Sequence, residues 1–205
     1  LMPGHTLTVQ NGTVNVRRYW HLEYQIDTKK SQEDHEAELA RRLKRAIQLR
    51  LRSDVPLGIF LSGGLDSSAV VGLLSSMVAE PLKTFSIGFE HGRQYNELNY
   101  ARLVSRHFVT EHYECILTPA EFQASIPDFI WYMDEPVTES AAISLYHVSK
   151  LAREHVTVVL SGEGADELFA GYTIYMYMLL LERYRRLPAP VRTLLNHLLK
   201  SVGHK

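Results

Sequence analysis

The run Ser62-Gly63-Gly64-Leu65-Asp66-Ser67-Ser68 gathers two glycines, three hydroxyls and a carboxylate into one short stretch. Residue types in this order suit a polyanion and its counter-ion. Glycines let the backbone adopt positive φ and approach a ligand closely, while the hydroxyls of Ser62, Ser67 and Ser68 add hydrogen-bond donors. The apolar stretch Leu57 to Leu61 lies directly upstream and the helical pattern Ala69 to Val78 directly downstream, so the run reads as strand, tight loop and helix start. The first amides of such a helix point into the loop, where an anion is the expected occupant and Asp66 can hold the accompanying cation. No Lys-Ser or Lys-Thr pair follows the glycines, which separates the loop from the phosphate loop of the common nucleotide triphosphatases. A bare Ser-Gly-Gly would be read as an ordinary turn. Asp-Ser-Ser at the helix start favours the phosphate cradle.

A second stretch repeats the arrangement. Val156 to Leu160 is a short β-branched run that opens into Ser161-Gly162-Glu163-Gly164-Ala165-Asp166-Glu167-Leu168-Phe169-Ala170-Gly171-Tyr172. A solvated helix start would account for Glu163, Asp166 and Glu167 through the helix dipole alone. Their company with the first loop favours a ligand site, because in parallel α/β sheets both loops lie at the carboxyl ends of their strands. The first run looks like the SGGxDS loop of the N-type ATP pyrophosphatases. VPLGIFLSGGLDSS and LSGEGADELFAGY resemble the first and second signatures of the glutamine-hydrolysing, B-type asparagine synthetases, in the right order and at a fitting separation, whereas GMP and NAD synthetases share only the first.

That resemblance implies an adenine nucleotide α-hydrolase-like fold, ATP and Mg2+ as ligands, and a site that maps residue by residue. Ser62, Gly63, Gly64, Ser67 and Ser68 match positions that hold pyrophosphate, and Leu61, Ile87, Ser161 and Gly162 match positions that contact adenosine. Asp66 and Asp166 match the magnesium ligands, and Glu163 matches a residue needed to form and consume the acyl-adenylate, as a base toward incoming ammonia. The implied substrates are ATP, L-aspartate and ammonia, the last delivered from glutamine by a glutaminase domain of the same chain; a homodimer is compatible with the resemblance. Asp134-Glu135-Pro136 is similar to a family motif, but Glu139 and Ser144 stand where many relatives have aspartate and proline. Two other functions therefore stay open: an adenylating amidotransferase acting on another carboxylate, in a β-lactam, peptide or surface-polymer pathway, or a non-catalytic relative. Retention of Asp66, Glu163 and Asp166 speaks against the latter.

The elements that must position these loops follow from periodicity. Leu7 and Val9, then Val14 and Val16, alternate with polar residues around Asn11-Gly12, which predicts a β-hairpin. Met2 to Trp20 resembles the hairpin that closes the glutaminase domain. The expected organisation is a glutaminase remnant over 1–20, a linker over 21–30 and a synthetase-type domain over 31–205 that is truncated at its C-terminus. A pyrophosphate-binding lysine of relatives would lie beyond Lys205, so the chain is expected to be weakly active or inactive alone. Glutaminase activity is not expected, since the family's amino-terminal cysteine is absent.

Ser31 caps a predicted helix to about Arg52, with Leu39, Leu43, Ala46, Ile47 and Arg50 on one face and a solvated basic face of Arg41, Arg42, Lys44 and Arg45. Val70, Leu73, Leu74, Met77 and Val78 keep helical spacing, and Phe85, Ile87 and Phe89 alternate in a strand. Asn96 is placed to cap a helix through His107, and Tyr113, Cys115 and Leu117 alternate in the next strand. Thr118-Pro119-Ala120-Glu121 has capping-box spacing and opens a helix with a stripe of Phe122, Ile126, Phe129, Ile130 and Met133. Repeated strand–helix alternation predicts a parallel α/β sheet with crossover helices, and after Gly171 the pattern is helical, interrupted by Pro188 and Pro190.

Composition narrows the partners. Lys plus Arg number 22 against 23 Asp plus Glu, so no electrostatic case exists for nucleic acid or an anionic membrane. No apolar run approaches the roughly 20 residues of a membrane helix. A single cysteine excludes an internal disulfide framework and suits a reducing cytoplasm. Cys115 on an alternating strand reads as a small core residue, the histidines show no zinc pattern, and Trp20, Trp131 and the tyrosines between Tyr172 and Tyr184 read as packing residues.

Overall fold

A computed structural model describes residues 1–90, 96–135, 137–193 and 196, and the chain forms two compact units, 1–43 and 44–205. In the first unit β1 (His5–Gln10) and β2 (Thr13–Arg18) pair antiparallel, with Leu7 opposite Val16 and Val9 opposite Val14. Asn11 and Gly12 both take positive φ, 49° and 76°, which is the turn that matches the twist of a two-residue hairpin. Residues 21–28 have no regular structure. Helix α1 (Gln32–Arg50) starts where Ser31 and Asp34 bond reciprocally: the Asp34 amide donates to Ser31 Oγ and the Ser31 amide to Asp34 Oδ2, each at 3.1 Å. It ends two residues before the expected Arg52. Of its proposed apolar face only Ile47 is fully buried.

The second unit is built on a four-stranded parallel sheet of order β5-β4-β3-β6, with β3 (Leu57–Phe60), β4 (Lys83–Phe89), β5 (Glu111–Leu117) and β6 (Val158–Leu160). Helices α2 (Leu65–Ser75), α3 (Leu98–Phe108), α4 (Pro119–Met133) and α5 (Ser140–Arg153) connect the strands. Alternation along β3 explains how both faces are covered. Ile59 and Leu61 pack with Val71 of α2 and Ala101 of α3, whereas Phe60 packs with Phe85 and with Val148 and Ala152 of α5. A third cluster joins Ile47, Leu74 and Leu82. Strands β3 and β6 are apolar along their length, whereas β4 and β5 alternate apolar with polar residues.

The order also locates a switch point. The chain moves outward from β3 to β4 to β5, then returns to place β6 on the opposite side of β3. The loops leaving β3 and β6 start side by side at the carboxyl ends of these two neighbouring strands, the edge of an open α/β sheet where ligands bind.

Several boundaries differ from the sequence reading. Helix α2 starts at Leu65 rather than Ala69, because Gly64 is extended (φ −67°, ψ 165°) and its carbonyl already receives the Ser68 amide at 3.1 Å. Glu97, not Asn96, is the cap position of α3, although Asn96 Oδ1 accepts the Leu98 amide at 3.2 Å. The capping box of Thr118 and Glu121 is present, but only Ser125 and Phe129 of α4 are buried. Ile130 and Trp131, 54% and 79% exposed, follow Phe129 round the helix and turn off its buried face. Trp131 is therefore not a packing residue among the described residues, and Trp20 is 56% exposed. Beyond α6 (Ala165–Phe169) and α7 (Thr173–Arg185), most of the expected C-terminal helical region lies outside the described residues, as does Pro136.

Polar side chains join α3 to the sheet. Buried Thr84 bonds Thr110 and His112 Nδ1, each at 2.8 Å, and Arg102 of α3 holds Glu114 in a two-pronged ion pair closing to 2.6 Å. These bonds fasten α3 to β4 and β5. Just past α3, Val109 adopts φ 52° and ψ 51°, a left-handed conformation hostile to a β-branched residue, and its side chain is 75% exposed. Val109→Gly is therefore expected to stabilise the chain by about 1 kcal/mol, read as a raised midpoint in urea with an unchanged slope. A lowered midpoint would show that the valine side chain contributes more than the backbone costs.

Candidate functional site

A cavity of about 860 Å³ opens at this switch point. Leu61, Ser62, Asp66 and Ser67 line it from β3 and its loop, Ile87 from β4, and Ser161, Gly162, Glu163 and Asp166 from the loop after β6. Nine of the positions mapped from sequence thus meet in one space. Gly63, Gly64 and Ser68 do not line its wall.

Backbone conformation and close approach explain the glycines. Gly63 has φ +86°, and a Cβ there would lie 2.6 Å from the Ala101 amide nitrogen and 2.7 Å from Tyr100 Cβ, so the loop rests directly on the first turns of α3. A Cβ on Gly162 would lie 3.0 Å from the Ser67 amide nitrogen and 3.2 Å from Asp66 Cβ. The two signature loops therefore abut, and Asp66 and Asp166 stand on neighbouring loops of one cavity. Tight turns and a shared sheet register produce this, not any direct bond between the carboxylates.

The hydroxyls are used differently from the simplest expectation. Ser62 Oγ accepts the Gly64 amide at 3.1 Å and shares a 3.0 Å bond with Ser67 Oγ, while Ser68 Oγ donates to the Gly64 carbonyl at 2.6 Å. In this arrangement they tie the loop to the start of α2. Ser86 of β4 donates to the Leu61 carbonyl, which joins β3 and β4 at the cavity floor.

Charge in the cavity has one sign. Its wall includes Asp66, Glu97, Glu139, Glu163, Asp166 and Glu167, and no Lys, Arg or His among the described residues. A polyanion can enter only with cations that neutralise it. Asp66 and Asp166 offer hard oxygen donors for that purpose, and no group of three or more His, Cys, Asp or Glu among the described residues forms a complete metal cage. Two such carboxylates are a donor set that suits Mg2+, which keeps several waters and is held by one or two carboxylates together with phosphate oxygens. The side-chain carboxylates of Asp66, Glu163 and Asp166 accept no hydrogen bond from described residues. Glu167 does: the Tyr172 hydroxyl donates to its Oε1 at 2.8 Å, and that bond, with burial and the neighbouring Asp166 and Glu163, pushes the phenol up to about 12.

The rest of the cavity wall was only partly legible in the sequence. Glu139, Ser144 and Leu145 of the α5 region line the cavity opposite the loops, with Phe89 and Phe122. Glu97, Phe122 and Tyr172 were not singled out as site residues from sequence; Glu97 is hidden beside Asn96, and Tyr172 closes the second signature. Cys115 is half-buried, and burial pushes its thiol up, as expected of a packing cysteine rather than a nucleophile.

Residues 38–204 match the asparagine synthase domain family. The chain is 37% identical over 200 residues to the glutamine-hydrolysing asparagine synthetase 1 of Bacillus subtilis, covering 95% of this chain and 30% of that protein. It is 43% identical over 148 residues to a putative glutamine-hydrolysing asparagine synthetase 2 of Methanocaldococcus jannaschii, covering 72% of this chain and 28% of that protein. The chain thus spans less than a third of the length of these relatives. A solved NH3-dependent NAD synthetase from Campylobacter jejuni aligns with a TM-score of 0.46 and 19% identity, covering 66% of this chain and 60% of that one.

Proposed function

We propose that this chain, which belongs to the asparagine synthase family, is the nucleotide-using part of an amide synthetase that adenylates the side-chain carboxylate of L-aspartate and transfers ammonia to it. The observation that carries this reading is the meeting of two signature loops in one acidic cavity at the switch point of the sheet. Leu61, Ile87, Ser161 and Gly162 surround the adenosine, and the backbone of the first loop with Ser62 and Ser67 holds the β- and γ-phosphates, Ser68 bracing the loop through the Gly64 carbonyl. A carboxylate oxygen of the acceptor attacks the α-phosphorus, the bond to the β-phosphate oxygen breaks, and pyrophosphate leaves. Ammonia then attacks the acyl carbon, AMP departs, and Glu163 accepts the proton released from nitrogen. Mg2+, held by Asp66 and Asp166, supplies charge neutralisation of the triphosphate.

In the whole protein the ammonia comes from glutamine through a glutaminase domain, of which the exposed hairpin over 1–20 is the closing piece. The setting is the cytoplasm. No helix among the described residues is long and apolar enough to cross a membrane.

Carboxylate-dependent exchange of labelled pyrophosphate into ATP by the full-length protein tests the reading. L-Aspartate is expected to support exchange at least tenfold above other carboxylates. Preference for a different carboxylate would move the enzyme to another amide-forming pathway, to which the departures at Glu139 and Ser144 would then be assigned. Absence of exchange with every carboxylate would leave a non-catalytic relative.

A further inference from the structure

The two adjacent carboxylates of the second loop are not equivalent. Asp166 and Glu167 both stand in the first turn of α6 and both line the cavity, yet among the described residues only the Glu167 carboxylate of the two has a hydrogen-bond partner, the Tyr172 hydroxyl. The chain reaches Tyr172 through a sharp reversal. Ala170 takes a left-handed conformation (φ 57°, ψ 42°), and the Gly171 amide donates back to the Asp166 carbonyl at 3.0 Å. A left-handed alanine costs about 1 kcal/mol, so the reversal needs bonds that hold it shut. A Cβ on Gly171 would overlap Asp166 Oδ1, which shows that the reversed chain is the wall against which the Asp166 carboxylate rests.

We propose that Tyr172 is a positioning residue for the metal carboxylate: by donating to Glu167 it latches the Ala170–Gly171 reversal behind Asp166. This rests on the reading of Asp166 as a metal ligand under Proposed function. The latch assigns the two neighbouring carboxylates separate tasks, one to the cation and one to the turn. Free of Tyr172, Glu167 no longer fastens the reversal, and Asp166 loses the fixed wall that limits its rotamers.

The test is a titration of the intact protein with Mn2+ in the presence of α,β-methylene ATP, followed by loss of the free-ion EPR signal. Tyr172→Phe and Glu167→Ala are each expected to weaken Mn2+ binding roughly five- to tenfold, the order of one hydrogen bond to a charged group. The double variant should be no weaker than either single, since both remove the same bond. Glu167→Gln should bind like the wild type, because its amide oxygen still accepts from Tyr172. Unchanged affinity in Tyr172→Phe, or additive losses in the double variant, would overturn the latch while leaving the metal assignment standing. A wild-type protein that binds no Mn2+ with the analogue would overturn the metal assignment itself, and the latch with it.

Discussion

Replacing Asp66 with Asn in the intact enzyme is expected to lower carboxylate-dependent pyrophosphate exchange by on the order of 10³-fold, the consequence of removing several kcal/mol of charge stabilisation from the triphosphate. The substitution preserves size, and the Asp66 side chain makes no hydrogen bond with the described residues that the amide would break. It sits in the first turn of α2, beside Gly162 of the other loop, in a cavity already crowded with carboxylates. Loss of fold is therefore not the expected route to loss of activity. The dependence on metal should change as well: higher Mg2+ should recover part of the ATP binding but little of the rate. Exchange at the wild-type rate would remove Asp66 from the metal site, and a melting temperature lowered by many degrees would recast it as a structural residue of the helix start.

How much of this was readable beforehand depends on the kind of signal. Strand–loop–helix order around Gly63 and around Gly162 follows from short-range patterns, apolar runs broken by glycine, and those survive folding. The parallel sheet follows from the same alternation. Helix ends were less legible: Leu65 to Ser68 look like loop residues, yet Gly64 in an extended conformation lets the helix begin there. The stripe assigned to α4 failed at Ile130 and Met133 because periodicity reports which residues share a face, not whether a neighbour covers it. Glu97 and Phe122 enter the cavity from elements whose own spacing says nothing about ligands; only the order β5-β4-β3-β6 brings them there. The uses of the serine hydroxyls within the first loop, and the pairing of Tyr172 with Glu167, likewise depend on turns that close in three dimensions.

Glu163 gives the sharper test of chemistry as distinct from binding. It lies between two glycines, Gly164 with φ +91°, so no neighbouring side chain constrains it, and its carboxylate lines the cavity without a hydrogen bond from the described residues. Glu163→Gln keeps the length and the polar contacts while removing the base and its charge. Amide formation with ammonia is expected to fall by about 10²–10⁴-fold, the usual contribution of a positioned general base. The KM for ATP should stay within about threefold, since an interaction made only along the reaction path changes kcat and not ground-state binding. Raising the pH should not rescue the variant, because the amide acquires no proton-accepting form in that range. If ATP binding instead weakened in step with activity, Glu163 would be a nucleotide-binding or structural residue, and the carboxylate between the two glycines would be holding the loop rather than serving the acceptor.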